Sequence, residues 1–149
     1  MQEHKEIFNE YLKQKDLRHT PERDVILDEV YAKDGHFDID SLFIRLRKNY
    51  PDKRISKASI YRNIPLFIKA GLVRESITDG SRSFYEHVLG HTHHDHMSCV
   101  RCGKITEFYD KKIDKIQEEF CKKSKFEILW HTHVIYGLCG VCSKRKDKK

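Results

Sequence analysis

The chain has 149 residues, 38% of them hydrophobic, and a formal net charge of +6, which suits one packed domain or two small ones. No apolar run approaches the roughly 18 residues that a membrane span requires, and the opening MQEHKEIFNEYLKQKD is charged throughout, so neither a membrane span nor an export signal is expected and the protein reads as cytoplasmic. Four of the five cysteines stand in two C-x-x-C pairs, which in that compartment points to metal or redox work rather than to structural disulfides.

Residues 1–70 carry helical periodicity. Ile7, Phe8, Tyr11 and Leu12 make one stripe. Thr20 before Pro21 is an N-cap followed by proline at the first helical position, and it opens a helix striped by Ile26, Leu27, Val30 and Tyr31. A third helix is expected from near Asp38, burying Ile39, Leu42, Phe43 and Leu46. Ser56 caps a fourth, KASIYRNIPLFIKAG, which ends at Gly71. On that helix Ile60, Ile64, Phe67 and Ile68 share one arc at about 100° per residue. Ala58, Arg62 and Lys69 then face outward, with Ser59 and Tyr61 on the flanks. Pro65, also outward, removes one intrahelical hydrogen bond and predicts a bend.

After Gly71 the period changes to two. LVRESI, a TDGS turn and RSFYEHV read as a hairpin. Helices followed by a hairpin give the order of a winged helix-turn-helix, with the fourth helix entering the major groove. Basic residues cluster at Lys53, Arg54 and Lys57, a group suited to face nucleic acid, and then at Arg62, Lys69 and Arg74. The closing SKRKDKK reads as a disordered, solubilising end.

The expected organisation is a winged-helix DNA-binding domain over 1–87, a VLG hinge at 88–90, a metal-binding unit over 91–142 and a basic tail over 143–149. In the third part a strand HTHHDHMSC, a C-x-x-C-G turn, a strand KITEF, a helix striped by Ile113, Ile116 and Phe120, and a last strand FEILWHTHVIYGLC make a small α+β unit. A core of that size is marginal, so bound metal and dimerisation are both expected supports.

Cys99, Cys102, Cys139 and Cys142 have the spacing of a closed tetrahedral thiolate site for zinc, one that holds structure and leaves no open position for chemistry. Cys121 sits mid-helix and reads as a core residue. The histidine run follows strand geometry: His94 and His96 share one face, His93 and Asp95 the other, so one segment can feed two sites. His36, Glu86, Glu107, Asp114 and His131 are the further ligands on offer. Mixed imidazole and carboxylate ligands suit iron(II), manganese(II) or zinc.

In combination, SIYRNI on the fourth helix, a carboxylate after the wing, HHDHMSCVRCGKITEF and HTHVIYGLCGVC resemble the ferric uptake regulator family of metal-dependent transcription factors, over nearly the whole chain. The resemblance implies an α+β architecture, an N-terminal winged helix and a small C-terminal α/β dimerisation domain, acting as a homodimer on double-stranded operator DNA. It places the regulatory metal, iron(II), manganese(II) or zinc, on His36, Glu86, His94, His96 and Glu107. It puts an additional metal site on His93, Asp95, Asp114 and His131, and the structural zinc on the four cysteines. DNA contacts fall on Arg18, Ser59, Tyr61 and Arg62.

Two departures matter. Pro65 is unusual in the recognition helix, and Glu86 and Glu107 stand where the family's peroxide sensors tend to carry aspartates. The expectation is therefore an iron-responsive repressor of metal-uptake genes rather than a peroxide-, zinc- or manganese-responsive relative. Two rivals lie outside that function. A zinc hydrolase would need an H-E-x-x-H or an equivalent, which the sequence lacks, and a zinc-stabilised nucleic-acid module would bind DNA without any metal response.

Overall fold

The computed structural model describes residues 3–78, 82–90, 92–129 and 131–145. The chain divides into two compact units, Met1–His91 and Thr92–Lys149. No helix among the described residues is long and apolar enough to cross a membrane.

The first unit contains α1 (Glu3–Gln14), α2 (Pro21–Tyr31), α3 (Ile39–Asn49), α4 (Lys57–Lys69), β1 (Val73–Thr78) and β2 (Ser83–His87). Three of its helices start on side-chain caps. Thr20 Oγ1 accepts from the Arg23 N–H. Asp38 Oδ1 accepts from the Ser41 N–H at 2.8 Å while Ser41 Oγ accepts from the Asp38 N–H at 3.1 Å, a reciprocal box. Ser56 Oγ accepts from the Ser59 N–H at 3.1 Å. Each cap satisfies an otherwise orphaned donor and contributes about 1 kcal/mol. Gly71, at φ 73°, ends α4 in the left-handed conformation that disfavours other residues.

The apolar stripes meet in one core, with Phe8 and Phe67 packed edge to face at 4.9 Å and Leu12, Leu27, Leu42 and Ile60 buried around them. Two expected core residues lie outside it. Ile68 is 39% exposed, at the limit of the buried arc, and Phe43 is only partly buried, with the Arg47 and Lys57 cations over its ring. Helix α4 is continuous through the exposed Pro65. The proline withholds one donor, while Ile60, Ile64 and Phe67 on the opposite arc stay buried.

Strands β1 and β2 pair antiparallel, with Arg74 opposite Glu86 and a register shift between Glu75 and Ile77. Asp79, Gly80 and Ser81 of the expected TDGS turn lie outside the described residues. Phe37 and Tyr85 exchange both backbone hydrogen bonds, at 2.9 and 2.8 Å, which fastens the loop carrying His36 to the strand carrying Glu86.

The second unit contains β3 (Asp95–Cys99), β4 (Ile105–Phe108), α5 (Lys111–Lys123), β5 (Val134–Gly137) and α6 (Gly140–Lys144). Its sheet runs β4-β3-β5, antiparallel on one side, with His96 opposite Glu107, and parallel on the other, with His96 opposite Val134. Both expected long strands are shorter than their extended sequences. Among the described residues the first begins at Asp95, and within 126–139 only Val134–Gly137 finds a partner strand. Helix α6 was not expected; it carries the last cysteine pair.

The α5 stripe is largely uncovered within the chain, with Ile116 exposed and Phe120 65% exposed. Met97 is 41% exposed and Leu129 is 75% exposed. Cys121 is half-buried. Among the described residues of this unit the buried apolar side chains are Cys99 and Cys142, so in place of an aliphatic core there is a cysteine cluster. Of the expected basic tail, 146–149 lie outside the described residues.

Candidate metal centres

Cys99 closes β3, Cys102 stands in the turn completed by Gly103 at φ 73°, Cys139 is the N-cap of α6 and Cys142 lies within it. The four sulfurs lie within 4.8 Å of one another. Cys102 Sγ and Cys139 Sγ are 3.8 Å apart, far beyond a disulfide bond. That spacing is the edge of a tetrahedron whose centre is about 2.3 Å from each sulfur, the zinc–thiolate bond length. The Cys139 N–H donates to Cys99 Sγ at 3.3 Å. This donor, with the backbone of Cys102 and Arg101, brings the Cys99 thiol down to about 6. The Cys142 N–H lowers Cys139, whereas burial pushes Cys142 up to about 12. Arg101 donates to the Cys142 carbonyl at 2.7 Å and the Arg145 carbonyl at 3.0 Å, locking the first turn onto α6.

A second cluster gathers at the start of β3 and along α5. His93 Nε2 is 3.4 Å from Asp114 Oδ1 and 3.6 Å from Asp95 Oδ1. His131 Nε2 is 3.7 Å from each of the same two oxygens. All four atoms are buried and make no hydrogen bond among the described residues. Burial without a partner costs on the order of 1–3 kcal/mol per group, and the spacings fit atoms about 2.1 Å from a shared cation. His93, Asp114 and His131 each bring one donor atom within 4.8 Å of the others, a set that fits a divalent ion, and Asp95 Oδ1 adjoins it through the two imidazoles.

The expected regulatory ligands gather within each unit. In the first, His36 Nε2 is 3.5 Å from Glu86 Oε2, and Arg74 Nε donates to Glu86 Oε1 at 2.6 Å, so Glu86 is held from one side while its other oxygen faces the imidazole. In the second, His94 Nε2 is 3.5 Å from Glu107 Oε1 and the His94 and His96 rings meet at 4.9 Å, nearly perpendicular. His96 and Glu107 are opposite each other across the β3–β4 ladder. The division of the histidine run is as strand alternation requires, although His93 and His94 precede the strand itself: His93 joins Asp95, and His94 joins His96.

On α4 Tyr61 is 60% exposed and Arg62 is exposed, while Ser59 is buried. Ser59 Oγ accepts from Arg62 Nη2 at 3.2 Å, so it steadies the arginine from below rather than lying on the surface. Arg18 is exposed in the segment after α1, its carbonyl accepting from Arg23. Arg74, of the second basic cluster, is turned onto Glu86. Sequence reasoning also passed over His133, whose Nδ1 lies 3.4 Å from Asp95 Oδ2. The signal was available: in His131-Thr132-His133 the two histidines are two apart and so share a face.

Comparison with known proteins bears on the whole chain. Residues 14–136 match the ferric uptake regulator family. The ferric uptake regulation protein of Campylobacter jejuni is 35% identical over 143 residues, covering 96% of this chain and 90% of its own. The peroxide operon regulator of Bacillus subtilis is 30% identical over 138 residues, covering 93% and 92%. Among solved structures, the Helicobacter pylori ferric uptake regulator, described as having three functional metal binding sites, superposes with a TM-score of 0.75 at 26% identity, covering 97% of both chains. The chain belongs to the ferric uptake regulator family and is a metal-responsive transcriptional regulator.

Proposed function

We propose that this regulator is an iron-responsive repressor of metal-uptake genes, a cytoplasmic homodimer whose operator affinity rises when iron(II) is held by His36, Glu86, His94, His96 and Glu107. The observation that carries the reading is the pre-assembly of these residues within their own units. His36 and Glu86 are two ligands in one, and His94, His96 and Glu107 are three in the other. Neither group alone fills the coordination shell that a first-row divalent ion takes up with nitrogen and oxygen donors. When bound, iron(II) supplies a divalent charge that two carboxylates and three imidazoles share.

The consequence lies in the segment Val88–Gly90. His36 and Glu86 stand before it and the other three after it, so only conformations in which the two groups face one ion let all five serve as ligands. The population moves to those conformations by the difference in affinity. In a dimer this fixes the separation and angle of two α4 helices, which must meet successive stretches of major groove. Tyr61 and Arg62, exposed on α4, contact the bases there; Ser59 positions Arg62, and Arg18 approaches the minor groove.

The four cysteines hold zinc and structure the second unit. The cluster of His93, Asp95, Asp114 and His131 is an additional divalent site in the same unit. Dimerisation covers the apolar surface that the second unit leaves exposed, including Ile116, Phe120, Leu129 and Ile135. The carboxylates favour iron sensing over peroxide sensing, since the peroxide sensors of the family tend to place aspartates where Glu86 and Glu107 stand. The similarity to the Campylobacter jejuni protein supports the same reading.

The test is selection of duplexes from a random library with iron(II) present, under anaerobic conditions and with zinc content held constant. The selected duplex is then titrated with and without iron(II). Tighter binding with iron is expected. Equal affinity in both would leave only a zinc-stabilised DNA-binding module.

A further inference from the structure

Asp95 is 1% exposed, and a buried carboxylate needs partners for both oxygens. Its two oxygens have different surroundings. Oδ1 faces His93 and His131 at 3.6 and 3.7 Å. Oδ2 faces His133 Nδ1 at 3.4 Å. His133 touches the carboxylate through Oδ2 and not through the oxygen that faces His93 and His131.

His133 is itself fixed from two directions. Its backbone carbonyl accepts from the His96 N–H at 3.1 Å, anchoring it to β3 just ahead of β5. Its ring stands edge to face against Phe108 at 5.8 Å, on β4. Asp95 pairs with Phe108 in the β3–β4 register, so the imidazole is wedged between the aromatic ring and the carboxylate it touches.

We propose that His133 is a positioning residue of the additional metal centre: it holds Asp95 Oδ2 so that Oδ1 alone is presented to a divalent cation shared with His93, Asp114 and His131. This rests on the reading of that cluster as a metal site. A ligating carboxylate that is itself hydrogen-bonded keeps one orientation, and removing such a supporting partner typically lowers metal affinity about 10–100-fold. Without His133, Asp95 is left to rotate, either chelating with both oxygens or turning away.

The experiment uses manganese(II) as the probe on full-length, zinc-replete protein carrying His96→Ala, which removes competition from the regulatory ligands. Manganese binding is followed by electron paramagnetic resonance and calorimetry, with zinc content and melting temperature recorded for each variant. His133→Ala is expected to weaken manganese binding by about 10–100-fold with zinc content unchanged. His133→Asn, whose side-chain amide offers a donor near the position of Nδ1, is expected to recover most of that loss. In an Asp95→Ala background, His133→Ala is expected to have no further effect. Affinity unchanged in His133→Ala, an asparagine variant no better than alanine, or a full additional loss in the Asp95→Ala background would each overturn the assignment. The underlying reading is checked separately by His93→Ala: if that variant binds manganese as its parent does, there is no metal centre for His133 to support and both fall together.

Discussion

Replacing Cys142 with serine tests the idea that the second unit is held by zinc rather than by a core. Among its described residues the buried apolar side chains are the two cysteines Cys99 and Cys142. A unit the length of Thr92–Lys149 has a stability of about 3–9 kcal/mol at the usual value per residue. Zinc binding to four thiolates contributes about 10–16 kcal/mol in small zinc domains. Losing even a third of the lower figure removes about 3 kcal/mol, as much as the lower bound for the entire unit. The first unit keeps its own core around Phe8 and Phe67 and should melt independently. Cys142→Ser is therefore expected to lose its tightly held zinc and to show two separated thermal transitions, the lower one reported by Trp130, the single tryptophan of the chain, in the sequence of the second unit. The assay is zinc analysis with melting followed by far-ultraviolet dichroism and tryptophan fluorescence. A variant that keeps its zinc, or melts in one transition at the wild-type temperature, would refute the reasoning.

Four further outcomes are expected. Arg62→Ala should weaken operator binding by roughly 1–3 kcal/mol while metal content stays constant, and a loss that is uniform across DNA sequences would make the contact one to phosphate instead. Arg74→Met should release the Glu86 oxygen held at 2.6 Å and lower the iron response about 10-fold or more, with zinc unaffected; an unchanged iron titration would show that the pair is only structural. Zinc uptake by metal-free protein should tighten as pH rises, because the Cys142 proton, bound in the ion-free site up to about 12, must leave, whereas Cys99, brought down to about 6, is already largely thiolate at neutrality. Calorimetry in buffers of different ionisation enthalpy measures that proton release, and its absence would contradict the site as described. Iron-loaded protein exposed to dilute peroxide should keep its histidines intact in mass spectra, and rapid oxygen addition to His36 or His94 would favour peroxide sensing.

The first unit was legible because its signals are local. Thr20-Pro21, Asp38 and Ser56 announce helix starts that the caps then make, and the stripes through Leu27, Leu42 and Ile60 close on one core. The second unit was less so because its apolar residues do not pack within one chain. Residues 126–129 read as strand from their apolar character, yet among the described residues of that segment strand pairing begins at Val134. Ile116 and Phe120 read as an apolar helix stripe and are exposed for the same reason. The metal clusters were visible as spacing, since C-x-x-C turns and alternating histidines impose their geometry locally. The contact from Arg74 to Glu86 depends on the pairing of β1 with β2, which no local pattern encodes, whereas His133 had a local signal in its two-residue spacing from His131.

In the proposed mechanism one ligand set couples iron binding to the operator-binding helices, and coupling of that kind is reciprocal. Iron(II) affinity measured on zinc-replete protein, with and without saturating operator duplex, tests it most directly. DNA is expected to tighten iron binding by the same factor by which iron tightens DNA binding, about 5–150-fold per site, and His96→Ala to reduce both factors toward one. Iron affinity indifferent to DNA, or a His96→Ala protein that keeps the full response, would contradict it.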